Sequence, residues 1–369
     1  MQNITKPRFD PKAPEILAYL EDVRYRTFTS EGMMVAFPAC YPGMTAPIPL
    51  DESRITALDI TPEGVVYGAT SGYRAHLFVG SFHGVQGLVF DLGLAAGPKE
   101  GVAVCCGKEK FLAFVNGPNG GCLVGGPVIG ITGDDFIQEW GMGRPALTDY
   151  GECVPGEPVV DAVADASRQT AVAITAKHLV TFDIAEPKAR VIGEVPGSGK
   201  LARGSRGIFG RDEGGALWRF DPASGSLQRQ AVKLPRGFGD EPLLWSAARN
   251  TGLLYTADAE GKLYSFDEEK GFSDALGSAP LSPVGPMAVT LDGRLFGFCG
   301  DEIAKMFSYN PASREVTTLG VAVSVIERRR YAYVMGAAVT GRDGELYFGE
   351  NDNGGHLWLY FPRIQAVKA

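Results

Sequence analysis

One phrase recurs along this chain and narrows its possible folds sharply. Residues 284–310 read VGPMAVTLDGRLFGFCGDEIAKMFSYN: an apolar strand, an Asp-Gly turn, a second strand, a polar loop and a third strand ending in an aromatic. Residues 335–361, MGAAVTGRDGELYFGENDNGGHLWLYF, follow the same grammar almost position for position, and so do residues 55–79, ITALDITPEGVVYGATSGYRAHLFV. Weaker copies stand at 170–183, 206–225 and 253–267. The strands within a copy are about five residues long, separated by turn residues and free of helical periodicity. Forty-nine glycines spread along 369 residues supply the turns.

Copies recur roughly every 40 to 50 residues, the length of a four-stranded propeller blade. The predicted fold is therefore all-β: one domain over 1–369, a seven-bladed β-propeller with blades starting near residues 52, 102, 158, 199, 240, 283 and 331. Blade two matches the pattern poorly, which leaves six or eight blades open. After Phe361 eight residues follow, too few for a fourth strand and its turn. An N-terminal strand is expected to fill that place and remove an open edge. Within the N-terminal extension, 1–51, residues 23–29 (VRYRTFT) are the expected donor, preceded by a helical turn over 14–22. Residues 125–157, rich in Gly, Pro and acidic groups, read as a loop insertion in blade two. Such a loop is either a lid or ligand wall or a plain surface excursion.

A formal net charge of -8 argues against nucleic acid or an anionic membrane as partner. No apolar run reaches the roughly 18 residues of a membrane-spanning helix. The N-terminal basic residues are not followed by an apolar stretch, so no secretory signal is expected. Six cysteines without CxxC spacing fit a reduced, cytoplasmic chain. The expected partner is a small-molecule or oligosaccharide ligand.

In a propeller, the loops joining second to third strands converge at one mouth of the central channel, where rigid strands hold them for ligand binding. These loops are 71–75, 211–215, 258–261, 300–304 and 350–355, with the connections near 203–206, 236 and 328–330 expected on the same side. Three of the four histidines, His76, His178 and His356, fall at one repeat position, where two other copies carry Lys262 and Lys305. Strand geometry alone offers a reason, since a strand start is often solvated. Against that reading, His76 and His356 belong to blades adjacent across the ring closure and can converge on one pocket. The candidate catalytic residues are Tyr73, Arg74, His76 and His356. The candidate ligand-binding residues are Glu350, Asn351, Asp352, Asn353, Asp301, Glu302, Arg328 and Arg211. Arginine offers a carboxylate two parallel donors, and Asn and Asp suit sugar hydroxyls. Such a set permits proton abstraction beside a carboxylate that Arg74 neutralises, with His76 or Tyr73 as base and the other group as acid.

In its repeat architecture the chain resembles seven-bladed β-propeller proteins and, in overall architecture, the propeller polysaccharide lyases, several of which use His, Tyr and Arg. The resemblance implies a carbohydrate-active propeller that binds an acidic sugar or oligosaccharide at the channel mouth and acts on it by β-elimination. The alternative is a non-catalytic scaffold for protein or small-ligand binding. No cofactor is expected. A calcium reading of residues 350–355 is weaker, because ENDNGG lacks the twelve-residue pattern and its terminal Glu. Cys105 and Cys106 read as buried structural thiols, and the Gly-rich stretch 117–127 as strand turns.

Overall fold

Each repeat folds into a small antiparallel sheet, because alternation along the strands gives every sheet two apolar faces to bury. In the computed structural model the described residues are 14, 32–38, 48–83, 86–129 except 96 and 98, 146–324 except 302, and 330–363. They form seven blades of four-stranded antiparallel sheet, the fifth built with an additional short strand. Blade one runs through Arg54–Ile60, Val66–Ser71, His76–His83 and Gln86–Leu94. The innermost strands of blades two to seven are Glu100–Cys106, Val159–Ala164, Ala202–Arg203, Ser246–Ala247, Val284–Val289 and Met335–Thr340. These starts follow the predicted ones closely, with the widest offset at blade five.

The core explains why the ring is closed. Buried apolar side chains form seven clusters among the described residues, and each is shared by two successive blades. Phe114 meets Phe182 between blades two and three, Phe209 meets Phe266 between four and five, and Phe298 meets Phe348 between six and seven. Ile55, Val66 and Phe78 of blade one pack with Tyr347 and Leu357 of blade seven, which joins the last blade to the first. Glycines on the second strands make room for aromatics on the third. Gly68 lies in register with Phe78, and a Cβ there would stand 2.1 Å from the ring. Gly210 and Trp218 repeat the arrangement at the same 2.1 Å. The aromatic occupies the volume that a side chain on the second strand would need.

Closure by an N-terminal strand is present, with a different segment from the one expected. Gly32–Pro38 pairs antiparallel with His356–Pro362, from Gly32 opposite Pro362 to Pro38 opposite His356. Met34 and Ala36 pack on the core shared by blades six and seven, and Phe37 meets Phe82 with ring centroids 4.7 Å apart. The apolar side chains of this segment cover a core that a bare strand edge would leave open. Residues 23–29 lie outside the described residues, as does the expected helical turn over 14–22 apart from residue 14.

In blade two, Gly120–Pro127 and Thr148–Glu152 are strands, so the expected insertion narrows to the connection 128–147, of which 130–145 lie outside the described residues. Its first residues are anchored: the Val128 N–H donates to Glu109 O and the Ile129 N–H to the Tyr67 hydroxyl, each at 2.7 Å. Because they join a third strand to an outermost one, its described ends, 128–129 and 146–147, lie on the face opposite the second-to-third loops. No helix among the described residues is long and apolar enough to cross a membrane.

Candidate functional site

The repeat position that carries histidine is the first residue of the third strand, as predicted: His76, His178, Lys262, Lys305 and His356 all occupy it. The end of the second strand, one loop earlier, determines how that residue is held. The His76 N–H donates to Thr70 Oγ1 (3.0 Å), His178 N–H to Thr175 Oγ1 (3.0 Å), Lys262 N–H to Asp258 Oδ1 (2.9 Å) and His356 N–H to Glu350 Oε2 (3.2 Å). The side chain that closes one strand thus caps the opening of the next. This local bond fixes the shared position.

Each imidazole then meets a carboxylate. His76 Nε2 lies 2.6 Å from Glu52 Oε2 and Nδ1 lies 3.1 Å from Asp91 Oδ1. Burial pulls the His76 pKa down, but Asp91 and Glu52 outweigh it and hold the group above its usual value, favouring imidazolium. Burial likewise opposes ionisation of Glu52, and Arg74 and His76 together bring its pKa below the usual carboxylate value. Arg74 completes the chain of charges with a two-pronged contact to Glu52, Nε–Oε1 2.7 Å and Nη2–Oε2 3.2 Å. His178 Nδ1 meets Glu157 Oε1 at 2.8 Å in the same manner.

The sequence reading missed Glu52, Asp91 and Glu157. A signal for two of them was present, since Glu52 and Glu157 each stand two residues before the innermost strand of their blade. Asp91 comes from the outermost strand of blade one, and its approach follows from sheet register alone.

His356 is 1% exposed and its Nδ1 lies 2.7 Å from Glu350 Oε2. Glu350 also accepts from Trp358 Nε1 (3.3 Å) and from the Tyr333 N–H (3.1 Å). Its carboxylate therefore serves the interior of blade seven. The two candidate histidines belong to separate networks, Glu52 and Asp91 around one and Glu350 around the other. With His76 at 4% exposure and carboxylates at both of its nitrogens, proton abstraction from a ligand in solvent would require that network to open.

The loops themselves do come together. They clamp the 3-10 turn Leu50–Glu52: Tyr73 N–H donates to Asp51 O (3.1 Å), Gly354 N–H to Leu50 O (3.0 Å), and Gly355 N–H to Ser53 Oγ (3.1 Å). The Asn351 N–H donates to Val334 O (2.7 Å), which adds residues 331–334 to the same ridge. Along it, Tyr73 is 70% exposed, Tyr331 43% and Tyr333 45%. Arg74 keeps half of its side-chain surface in solvent. Asn351 and Asp352 are half-buried beside it and Asn353 is exposed.

The remaining candidates lie elsewhere. Arg211 is buried and donates Nη1 to Glu241 O at 2.8 Å and Nη2 to Gly239 O, so it clamps the connection from blade four to blade five. Asp301 is exposed in the loop of blade six. Glu302 and Arg328 lie outside the described residues. The stretch 203–206 is the start of a first-to-second turn and faces the opposite mouth from the one expected, because Arg203 ends an innermost strand. Among the described residues no group of three or more His, Cys, Asp or Glu is arranged to hold a metal ion.

Comparison with solved structures finds the same architecture. A streptogramin B lyase structure superposes with a TM-score of 0.64 at 9% identity, covering 90% of this chain and 99% of that one. A virginiamycin B lyase from Staphylococcus aureus gives a TM-score of 0.62 at 9% identity over the same shares, and an inactive variant of it with quinupristin gives 0.60 at 10%. At such identity the likeness establishes the fold. No protein-family model and no curated protein matches the chain.

Proposed function

We propose that this chain recognises an acidic sugar or short oligosaccharide on the ridge where blades seven and one meet. The observation that carries the reading is the exposure of Tyr73, Tyr331 and Tyr333, with the half-exposed Arg74 and the oxygen-bearing side chains of 351–353, on segments that hydrogen bonds tie around the Leu50–Glu52 turn. Aromatic faces suit the apolar flank of a sugar ring, and Asn and Asp suit its hydroxyls. Glu52 holds Arg74 by Nε and Nη2, while Nη1 makes no hydrogen bond to any described residue and is the donor for a ligand carboxylate. Binding of uronate-containing oligosaccharides, measured against neutral ones of equal length, tests this. Arg74→Ala should weaken acidic ligands about tenfold, the worth of one charge-assisted hydrogen bond, and leave neutral ones unchanged. Equal binding of acidic and neutral ligands, or an unaffected Arg74→Ala variant, would sink the proposal.

A second reading, turnover by β-elimination, is supported by the lyase names of the solved propellers it resembles. In that reading Arg74 neutralises the substrate carboxylate. Tyr73, whose side chain reaches solvent, is the proton-transfer group, and His76 acts by charging and holding the Glu52–Arg74 pair. Growth of ultraviolet absorbance from an unsaturated uronate, lost in Tyr73→Phe, is the expected signature. Binding without absorbance growth leaves recognition standing and removes turnover.

A further inference from the structure

The channel wall is built largely of small and apolar side chains such as Leu58, Val104, Ala162, Leu201 and Ala338, so charged groups there stand out. Near the mouth formed by the connections between blades, Lys200 and Asp161 pair at 3.0 Å. At the opposite mouth three arginines from three blades face one carboxylate. Arg168 of blade three reaches Asp59 of blade one, Nη1–Oδ2 2.8 Å and Nη2–Oδ1 3.2 Å, and donates to Cys106 O at 2.9 Å. Arg249 of blade five donates to Thr340 O (2.7 Å) and Gly341 O (3.3 Å) of blade seven. Arg203 of blade four lines the same space, and its guanidinium makes no hydrogen bond to any described residue.

Arg168, Arg203, Arg249 and Lys200 against Asp59 and Asp161 leave a surplus of two positive charges along the channel. Glu345, another carboxylate near Arg249, does not line the channel and accepts from the Asp343 N–H (2.9 Å) and the Tyr347 hydroxyl (3.1 Å). Arg203 is half-buried and Arg249 exposed, and both line the same cavity at this mouth. Burial, and then the like charge of Arg168, lower the proton affinity of both.

The local backbone also sets Arg168 apart. The first-to-second turns of blades one, six and seven place glycine at the corner, Gly64, Gly293 and Gly344, with φ of 103°, 87° and 92°. Each donates its N–H three residues back, to Thr61 O, Thr290 O and Gly341 O. Blade three makes the same turn, with the Arg168 N–H donating to Asp165 O at 3.0 Å and φ of 58°. A side chain at that corner is strained, which is why glycine fills it elsewhere. Here the strained position aims a guanidinium across the channel mouth.

We propose that this mouth binds a small dianionic ligand of the phosphate monoester or dicarboxylate class, held by Arg168, Arg203 and Arg249 in a cavity of about 340 Å³. Guanidinium forks match such oxyanions two oxygens at a time, and a dianion neutralises the surplus charge. Isothermal titration of the whole chain at low ionic strength, with inorganic phosphate in one arm and malonate in the other, tests it. One site per chain is expected, and the tighter of the two probes assigns the class. Arg203→Gln should weaken binding at least tenfold while leaving the Tm without anion unchanged or raised, because Arg203 makes no hydrogen bond to any described residue and is repelled by Arg168 and Arg249. Arg206→Gln, which removes an exposed arginine paired with Glu269 outside the cavity, should bind as the parent does. The proposal is overturned if neither probe binds, or if Arg203→Gln binds as tightly as the parent. The saccharide ridge lies on the other face, so either proposal can fail without the other.

Discussion

Replacing Glu52 by glutamine would cut the chain of charges at its centre. The carboxylate is 2% exposed and accepts from both prongs of Arg74 and from His76 Nε2. Removing one partner of a fully buried pair costs about 3–5 kcal/mol when the other charge is left alone. Two features lower that figure here. Asp91 remains 3.1 Å from His76, so the imidazolium keeps a counter-charge. Glu52 touches the half-exposed Arg74, so water screens part of what is left. Arg74, half exposed, turns to solvent and adds little. A loss of roughly 2 kcal/mol is expected at neutral to mildly acidic pH.

The pH dependence gives the sharper test. The His76 pKa is raised above 6.5 in the fold, so its contribution is complete below that value and fades as pH rises through the raised one. The Glu52 pKa is lowered below 4.5, so its contribution is complete above that value and fades as pH falls through the lowered one. Their joint effect is greatest between these limits. Urea unfolding of parent and Glu52→Gln at about pH 4, 6 and 8.5 should therefore show the widest gap at the middle value. A gap under about 0.5 kcal/mol there, or one that does not vary with pH, would mean that Glu52 and His76 are not coupled to folding.

Two further predictions concern the frame that carries the site. Removing residues 1–38 deletes the strand paired with His356–Pro362 and exposes its edge. The loss should be roughly 3 kcal/mol or more, with concentration-dependent association visible on size-exclusion chromatography. Gly68→Ala puts a Cβ 2.1 Å from the Phe78 ring and should cost about 1–3 kcal/mol by urea unfolding. Adding Phe78→Leu should return part of that loss, and a neutral Gly68→Ala would contradict the packing described.

Much of the fold was legible because the repeat is written in local terms. Asp-Gly and Gly-Gly turns, five-residue strands and the polar start of the third strand are short-range features, and they placed the blades and the histidine register. The partners of those histidines were less legible. Asp91 reaches His76 across a sheet, and Glu350, expected to meet a ligand, is taken up by His356, Trp358 and the Tyr333 backbone. Arg203 read as part of the ligand-binding face, but a first strand two residues long carries it to the other mouth. The left-handed corner at Arg168 was recoverable from the sequence, since DASR stands where TPEG and TLDG stand in other blades.

Local sequence patterns were enough to show that the chain is all-β, that it is built of blades, and that five of the seven third strands open on a histidine or lysine. Those properties rest on periodicity and turn chemistry within a few residues of one another. Ring assembly sets which N-terminal segment pairs with the last blade, which carboxylates claim the histidines, and which arginines gather at the channel mouth. Each of those depends on bringing together residues far apart in the chain, as when Arg168 of blade three meets Asp59 of blade one. Such meetings are set by ring closure, and the packing of seven shared cores fixes that closure where no local pattern records it.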